Sequence, residues 1–187
     1  TKTIRRAVLR EVTILSSLSH PNIVQFLGCS LNVPSGSGRE KIRSSMRRRR
    51  RGTSSSHARE ESIDIDDDAS SVWIVTELLK GRTLYESVRS RKRVFTLESV
   101  LRLAVDIAKG MVFIHSRNVT HGDLKSSNIL LSGSGASCKI IDFGESAVVD
   151  ALSDESGGGG TLGWNAPERL TQSSNHTKKS DVWSWAI

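Results

Sequence analysis

Long hydrophobic runs are missing from this 187-residue chain: nowhere do about 18 apolar residues follow one another, the length a membrane-spanning helix needs. The N-terminal stretch Thr1-Lys-Thr-Ile-Arg-Arg6 also lacks the apolar core of a secretion signal. Cysteine is scarce. Cys29 and Cys138 fall in separate apolar, strand-like segments, which predicts reduced, buried thiols rather than a disulfide framework or a metal site. The expectation is a cytoplasmic or nuclear protein with no membrane segment in this chain. Net charge is scarce outside one tract. Residues 39 to 51 hold Arg39, Lys41, Arg43 and Arg47 through Arg51 against Glu40 alone, a net of +7, and the whole chain carries +7. The remainder is therefore neutral, which excludes a uniformly basic nucleic-acid-binding face and predicts no specific nucleic-acid partner.

What is present is a globular composition, 36% hydrophobic, sufficient for one good core. Residues 3 to 18 predict a helix, with Val8, Val12 and Leu15 at helical spacing and Glu11 on or near the same buried side. A glutamate placed there wants a cation. Residues 34 to 71 lose all periodicity: Pro34-Ser-Gly-Ser-Gly38, the arginine run, scattered serines, then Asp64, Asp66, Asp67 and Asp68. They read as a disordered insertion. Its Arg47–Arg51 run is open to two interpretations, a solvated loop facing its own aspartates or a site for RNA, anionic lipid or an import receptor, and the neighbouring Ser44, Ser45, Thr53 and Ser54 suit phosphorylation. Val72-Trp-Ile-Val-Thr-Glu-Leu-Leu79 predicts a strand ending in a turn at Lys80-Gly81. Residues 97 to 117 predict a long core helix, with Thr96 as N-cap and Val100, Leu103, Ala104, Ile107, Ala108, Met111 and Ile114 on one stripe.

The chemistry is concentrated later. Val119-Thr-His-Gly-Asp-Leu-Lys-Ser-Ser-Asn-Ile-Leu-Leu131 is followed by Cys138-Lys-Ile-Ile-Asp-Phe-Gly144. Moving a phosphoryl group demands a carboxylate to take the attacking hydroxyl's proton, oxygen ligands for a divalent cation, and positive charge near the phosphate. Asp123, Asn128, Asp142 and Lys125 are the residue types for those jobs.

These two stretches resemble the catalytic and metal-binding loops of eukaryotic protein kinases, His-Arg-Asp-Leu-Lys-x-x-Asn and Asp-Phe-Gly, with Gly122 standing where that family usually has Arg. Gly160-Thr-Leu-Gly-Trp-Asn-Ala-Pro-Glu168 resembles the family's closing Ala-Pro-Glu motif, and Ser180-Asp-Val-Trp-Ser-Trp185 the start of its large helix, where Asp181 would brace the catalytic loop. The resemblance covers residues 1 to 33 and 72 to 187. It implies an α+β, two-lobed fold, with a β-rich lobe over residues 1–79 and a helical lobe over 80–187. It also implies catalytic Asp123 and Lys125, Mg²⁺ on Asn128 and Asp142, and ATP held by Glu11, Thr76, Glu77, Leu79, Lys125, Asn128, Leu130 and Asp142.

No glycine-rich loop or Val-Ala-x-Lys strand precedes the first helix, so the expectation is a kinase fold truncated at both ends and inactive in isolation. Lys125 and Thr161 resemble the serine/threonine-specific pattern, and the local motifs look like the tyrosine kinase-like group. Protein substrates with Ser or Thr follow as partners. A pseudokinase that keeps the fold as a scaffold is the other reading. Residues 145 to 160 resemble a mobile activation segment. Because Gly122 replaces the arginine that receives its phosphate, phosphorylation at Ser146, Ser153 or Ser156 is not expected to be strictly required for activity.

Overall fold

A computed structural model describes residues 2–32, 71–90, 95–149, 160–171 and 176–187. Its elements run α1 (Lys2–Ser17), β1 (Phe26–Asn32), β2 (Ser71–Thr76), α2 (Leu84–Arg89), α3 (Leu97–Ser116), β3 (Val119–Thr120), β4 (Ile129–Leu131), β5 (Cys138–Ile140), β6 (Ala147–Val148), α4 (Pro167–Thr171) and α5 (Lys178–Ala186). Short 3-10 turns cover Ser126–Asn128 and Leu162–Trp164. The mixed α+β class agrees with the expectation, as do the placements of α1, β2 and α3.

Three two-stranded antiparallel ribbons carry the chain: β1 on β2, β3 on β6, and β4 on β5. In the first, Phe26 faces Thr76 and Asn32 faces Ser71, so residues 33–70, including the Arg47–Arg51 run, are the connection of a hairpin and lie outside the described residues. The N-terminal part is fastened to the rest by backbone. Val24 N–H donates to the Ile140 carbonyl, Ile140 N–H to the Asn22 carbonyl, and Asn22 Nδ2 to the Cys138 carbonyl. Around that seam packs one core: Ile14 and Leu15 of α1 with Leu18 just after it, Ile23 and Val24, Leu103, Met111 and Ile114 of α3, and Ile129, Leu131, Cys138, Ile140 and Phe143 from the β4–β5 region.

The α3 helix starts as its sequence dictates. Thr96 Oγ1 accepts the Ser99 N–H at 3.2 Å, satisfying one of the donors a helix start leaves open. The apolar stripe is narrower than expected. Leu103, Met111 and Ile114 are buried, whereas Val100 is 47% exposed, because no described element covers the first turn on that side. The cysteines divide too. Cys138 is buried, and burial, with a smaller contribution from Asp106, pushes its thiol up to about 12, whereas Cys29 is exposed on the two-stranded β1–β2 ribbon, against the expectation of two buried thiols. Among the described residues no helix is long and apolar enough to cross a membrane.

Candidate active site

The catalytic loop is a stretch of irregular backbone between β3 and β4, and irregular backbone inside a core must have its polar groups satisfied one by one. Asp181, in the first turn of α5 and 2% exposed, supplies much of this. Its Oδ2 accepts the His121 N–H at 2.9 Å and its Oδ1 the Gly122 N–H at 3.0 Å, while His115 Nε2 of α3 lies 2.9 Å from Oδ2. Burial alone would raise this carboxyl, but His115, His121 and the two backbone donors hold it below the ordinary aspartate value. The sequence-based role of Asp181 as brace is thus realised in geometry.

His121 is fully buried, and burial lowers its pKa from the ordinary imidazole value despite the carboxylates around it. Its Nδ1 accepts the Asp123 N–H at 3.3 Å, so its other nitrogen, 3.2 Å from the Ile141 carbonyl, carries the proton and donates. One neutral imidazole therefore joins the backbone at Asp123 to the backbone just before Asp142. The His121 ring also packs at 5.1 Å on Phe143.

At the centre, Asp123 is held from three sides. Lys125 Nζ donates to Asp123 Oδ2 at 2.5 Å and to Thr161 Oγ1 at 2.8 Å, and Thr161 Oγ1 donates to Asp123 Oδ1 at 2.8 Å. Asn128 Nδ2 donates to the Asp123 carbonyl at 2.9 Å and to Oδ2 at 3.3 Å. Asn128 is buried, its nitrogen is committed to Asp123, and its amide oxygen is the atom left for a ligand. Thr161, singled out in the sequence only as a mark of substrate type, is in contact with both the Asp123 and the Lys125 side chains.

Asp142 is exposed and left-handed, with φ of +67°, a conformation costly for a residue other than glycine. Gly144 N–H approaches its Oδ1 at 3.4 Å. Glu11 of α1 is half-buried; burial first, and the Asp142 charge second, raise its carboxyl above the ordinary value. Among the described residues Glu11 has no ion-pair partner. The charges of Glu11 and Asp142 therefore oppose one another across the site.

The strand-side residues are placed less tightly. Thr76 ends β2, half-buried. The Glu77 N–H donates to the Gln25 carbonyl at 2.9 Å, extending the hairpin ladder. Among the described hydrogen bonds none uses the Glu77 carbonyl or the Leu79 N–H. The Glu77 carboxylate was not anticipated as a structural group. It accepts Gln25 N–H at 2.8 Å and pairs with Lys139 Nζ of β5 at 2.7 Å; burial raises its pKa, but these partners outweigh that and hold it low. Leu130 is half-buried in β4, opposite Lys139, with a bridge to Thr83 on its other side.

The residues after Asp142-Phe-Gly144 correct another expectation. Through Val149 they are ordered: Ser146 is fully buried, its hydroxyl donates to the His121 carbonyl at 3.0 Å, and β6 pairs with β3. Ser146 is thus an anchor of the loop rather than an accessible phosphorylation site. Ser153 and Ser156 lie outside the described residues.

A core-anchored loop carries a carboxylate, a lysine and an asparagine in this order, and a second aspartate in left-handed backbone follows β5, the residue order of the protein kinase domain. The chain belongs to the protein kinase domain family, which matches residues 1–187. It is 35% identical to the mouse serine/threonine-protein kinase TNNI3K over 182 residues, which are 95% of this chain and 18% of that protein. It is 32% identical to the Arabidopsis thaliana serine/threonine/tyrosine-protein kinase HT1 over 178 residues, 95% of this chain and 36% of the relative. It is 34% identical to the Dictyostelium discoideum probable serine/threonine-protein kinase kinY over 146 residues, 75% and 21% of the two chains. Such relatives place it beside the tyrosine kinase-like group. The chain spans less than a fifth of the mouse relative's length.

Proposed function

We propose that this chain is the catalytic region of a protein serine/threonine kinase that moves the γ-phosphate of ATP, as its Mg²⁺ complex, to a Ser or Thr hydroxyl of a protein. The single observation that carries the reading is the closed set Asp123–Lys125–Thr161–Asn128, in which every member is held by another. Such preorganisation lets fixed groups meet developing charge without reorganising at the moment of reaction.

In this reading Asp123 orients the substrate hydroxyl and accepts its proton as the oxygen attacks phosphorus. Lys125 balances the Asp123 charge in the resting site and faces the phosphoryl group when substrate enters. Thr161 bonds both and fixes their mutual position, and a Ser or Thr hydroxyl as acceptor is supported by relatives named serine/threonine-protein kinases. The Asn128 amide oxygen and the Asp142 carboxylate fit a hard divalent cation, which takes few protein oxygens and completes its shell with water and phosphate. When bound it would neutralise phosphate charge, and its presence would relieve the mutual repulsion of Glu11 and Asp142. The Glu77 carbonyl and Leu79 N–H would meet the adenine edge, with Thr76 behind the ring and Leu130 beneath it. A cytoplasmic or nuclear setting belongs to the same proposal and is supported by two free cysteines.

The test is radiolabelled phosphate transfer from Mg-ATP by the full-length protein to a protein mixture, with hydrolysis of the products to phosphoamino acids. Phosphoserine and phosphothreonine are expected. Phosphotyrosine alone, or no transfer from folded protein, contradicts the proposal.

A further inference from the structure

Gly122 sits between the buried His121 and Asp123 with φ of +82°, a conformation natural to glycine. Both of its polar backbone groups are taken. Its N–H is held by Asp181 Oδ1, and its carbonyl accepts Nη1 of Arg169, in α4, at 3.2 Å. A side chain has no room here: a Cβ on Gly122 would lie 2.5 Å from the Glu145 carbonyl oxygen and 2.9 Å from His176 Nδ1.

Arg169 is itself aimed. Its Nη1 also donates to Asn165 Oδ1 at 3.0 Å, and its Nη2 lies 3.0 Å from His176 Nε2. A guanidinium has no lone pair to offer, so this His176 nitrogen is the acceptor and the ring is neutral when the bond is made. Burial pulls the guanidinium below its ordinary value, and the charges of Asp181, Glu145, Asp123 and Glu168 work against that shift. Gly160, left-handed at φ of +101°, closes on the same spot: a Cβ there would lie 2.6 Å from Asn165 Oδ1, 2.8 Å from Arg169 Nη1 and 3.2 Å from the Gly122 carbonyl oxygen. The next residue is Thr161, which bonds Asp123 and Lys125.

We propose that Arg169 is a positioning residue for phosphoryl transfer, a cation after Ala-Pro-Glu that clamps the Gly122 carbonyl on the catalytic loop and fixes the Gly160–Thr161 backbone against it. The inference rests on the phosphotransfer reading above. A forked, planar guanidinium can grip the Gly122 carbonyl, Asn165 and His176 at once, which a single ammonium cannot. A side chain at position 122 has no part in the arrangement, and one introduced there disrupts it.

The test compares full-length wild type with Arg169→Met, Arg169→Lys and Gly122→Arg, measuring kcat, KM for ATP, thermal unfolding and amide deuterium exchange over residues 121–125. Arg169→Met should lower kcat by about tenfold to a hundredfold, the scale of a small misplacement of reacting groups, and leave the ATP KM within about twofold. Exchange over 121–125 should rise. Arg169→Lys should recover part of kcat, and Gly122→Arg should lower kcat rather than raise it. Folded Arg169→Met with wild-type kcat and wild-type exchange overturns the proposal, as does a Gly122→Arg protein more active than wild type. If wild type transfers no phosphate, the kinase reading has failed, and unchanged exchange over 121–125 in Arg169→Met would then show separately that Arg169 does not hold the loop.

Discussion

Around Asp123, the polar groups of the catalytic loop are bonded to side chains drawn from α4, α5 and the segment before Ala-Pro-Glu, namely Arg169, Asp181 and Thr161, with His115 of α3 held on Asp181 behind them. The β1–β2 hairpin is held differently. It is a two-stranded ribbon with Trp73 65% and Val75 47% exposed, joined to the rest by the backbone seam at residues 22–24 and the Glu77–Lys139 pair. The groups assigned to proton and phosphate handling are therefore fixed before any ligand arrives. The groups assigned to the nucleotide, Glu11 and the Glu77–Leu79 backbone, keep open valences that a ligand or cation would complete. What this contrast teaches is where the folding energy has gone: into holding charge and irregular backbone at the transfer site, the arrangement that preorganised electrostatics requires.

The contrast is broken most severely at Asp181. Asp181→Ala leaves the His121 and Gly122 N–H groups buried without acceptors, and the expected loss is about 2–5 kcal/mol in denaturant unfolding. A loss no larger than that of a hairpin substitution would mean that the loop is not anchored as described. Thr161→Val removes the hydroxyl that bonds both Lys125 and Asp123; kcat on a serine substrate should fall about tenfold, in line with losing a fixed polar contact at the reacting centre. An unchanged kcat would detach Thr161 from the site.

On the hairpin side the effects are smaller. Lys139→Met removes an ion pair whose partners are 25% and 28% exposed, and after solvent screening the cost should be below about 1 kcal/mol. A larger loss in the same unfolding assay would show that the hairpin is held as firmly as the loop. The smallest effect is on pH dependence, and the two regions should differ in sign. Asp181 is lowered from 3.8, so its contribution is present above that value and is lost as pH falls through its lower folded value. Glu11 is raised from 4.5, so its charged form penalises the fold at neutral pH, and acidification through its folded value relieves that penalty. Melting temperature measured from pH 7 downward should show the relief in wild type and not in Glu11→Gln; identical profiles would remove the assigned role of Glu11's burial.

How far these features were legible depended on the distance over which they act. Thr96 announces the start of α3 because capping is local, and Asp123, Asn128 and Asp142 are legible because a family pattern fixes their order. Val100 and Cys29 were misjudged because periodicity and strand character say which face a residue occupies but not whether anything covers it. The roles of Arg169 and of the Glu77 carboxylate were invisible, since their partners Gly122 and Lys139 lie 47 and 62 residues away and neither pairing leaves a local pattern. Ser146 belongs with them: a serine beside Asp-Phe-Gly reads as exposed and modifiable until its hydroxyl is seen on the His121 carbonyl. One signal was available, an isolated glycine at position 122, which asks what backbone geometry or close approach requires it.

The account stands most directly on Asp123. Its measurement is the initial rate of phosphate transfer from Mg-ATP to a Ser/Thr protein substrate by the full-length protein beside an Asp123→Asn copy that is matched in fold by circular dichroism and in ATP affinity by titration. The predicted result is a rate lower by about a hundredfold to ten-thousandfold in the variant, the usual contribution of a positioned base. Equal rates in the two proteins would contradict the account.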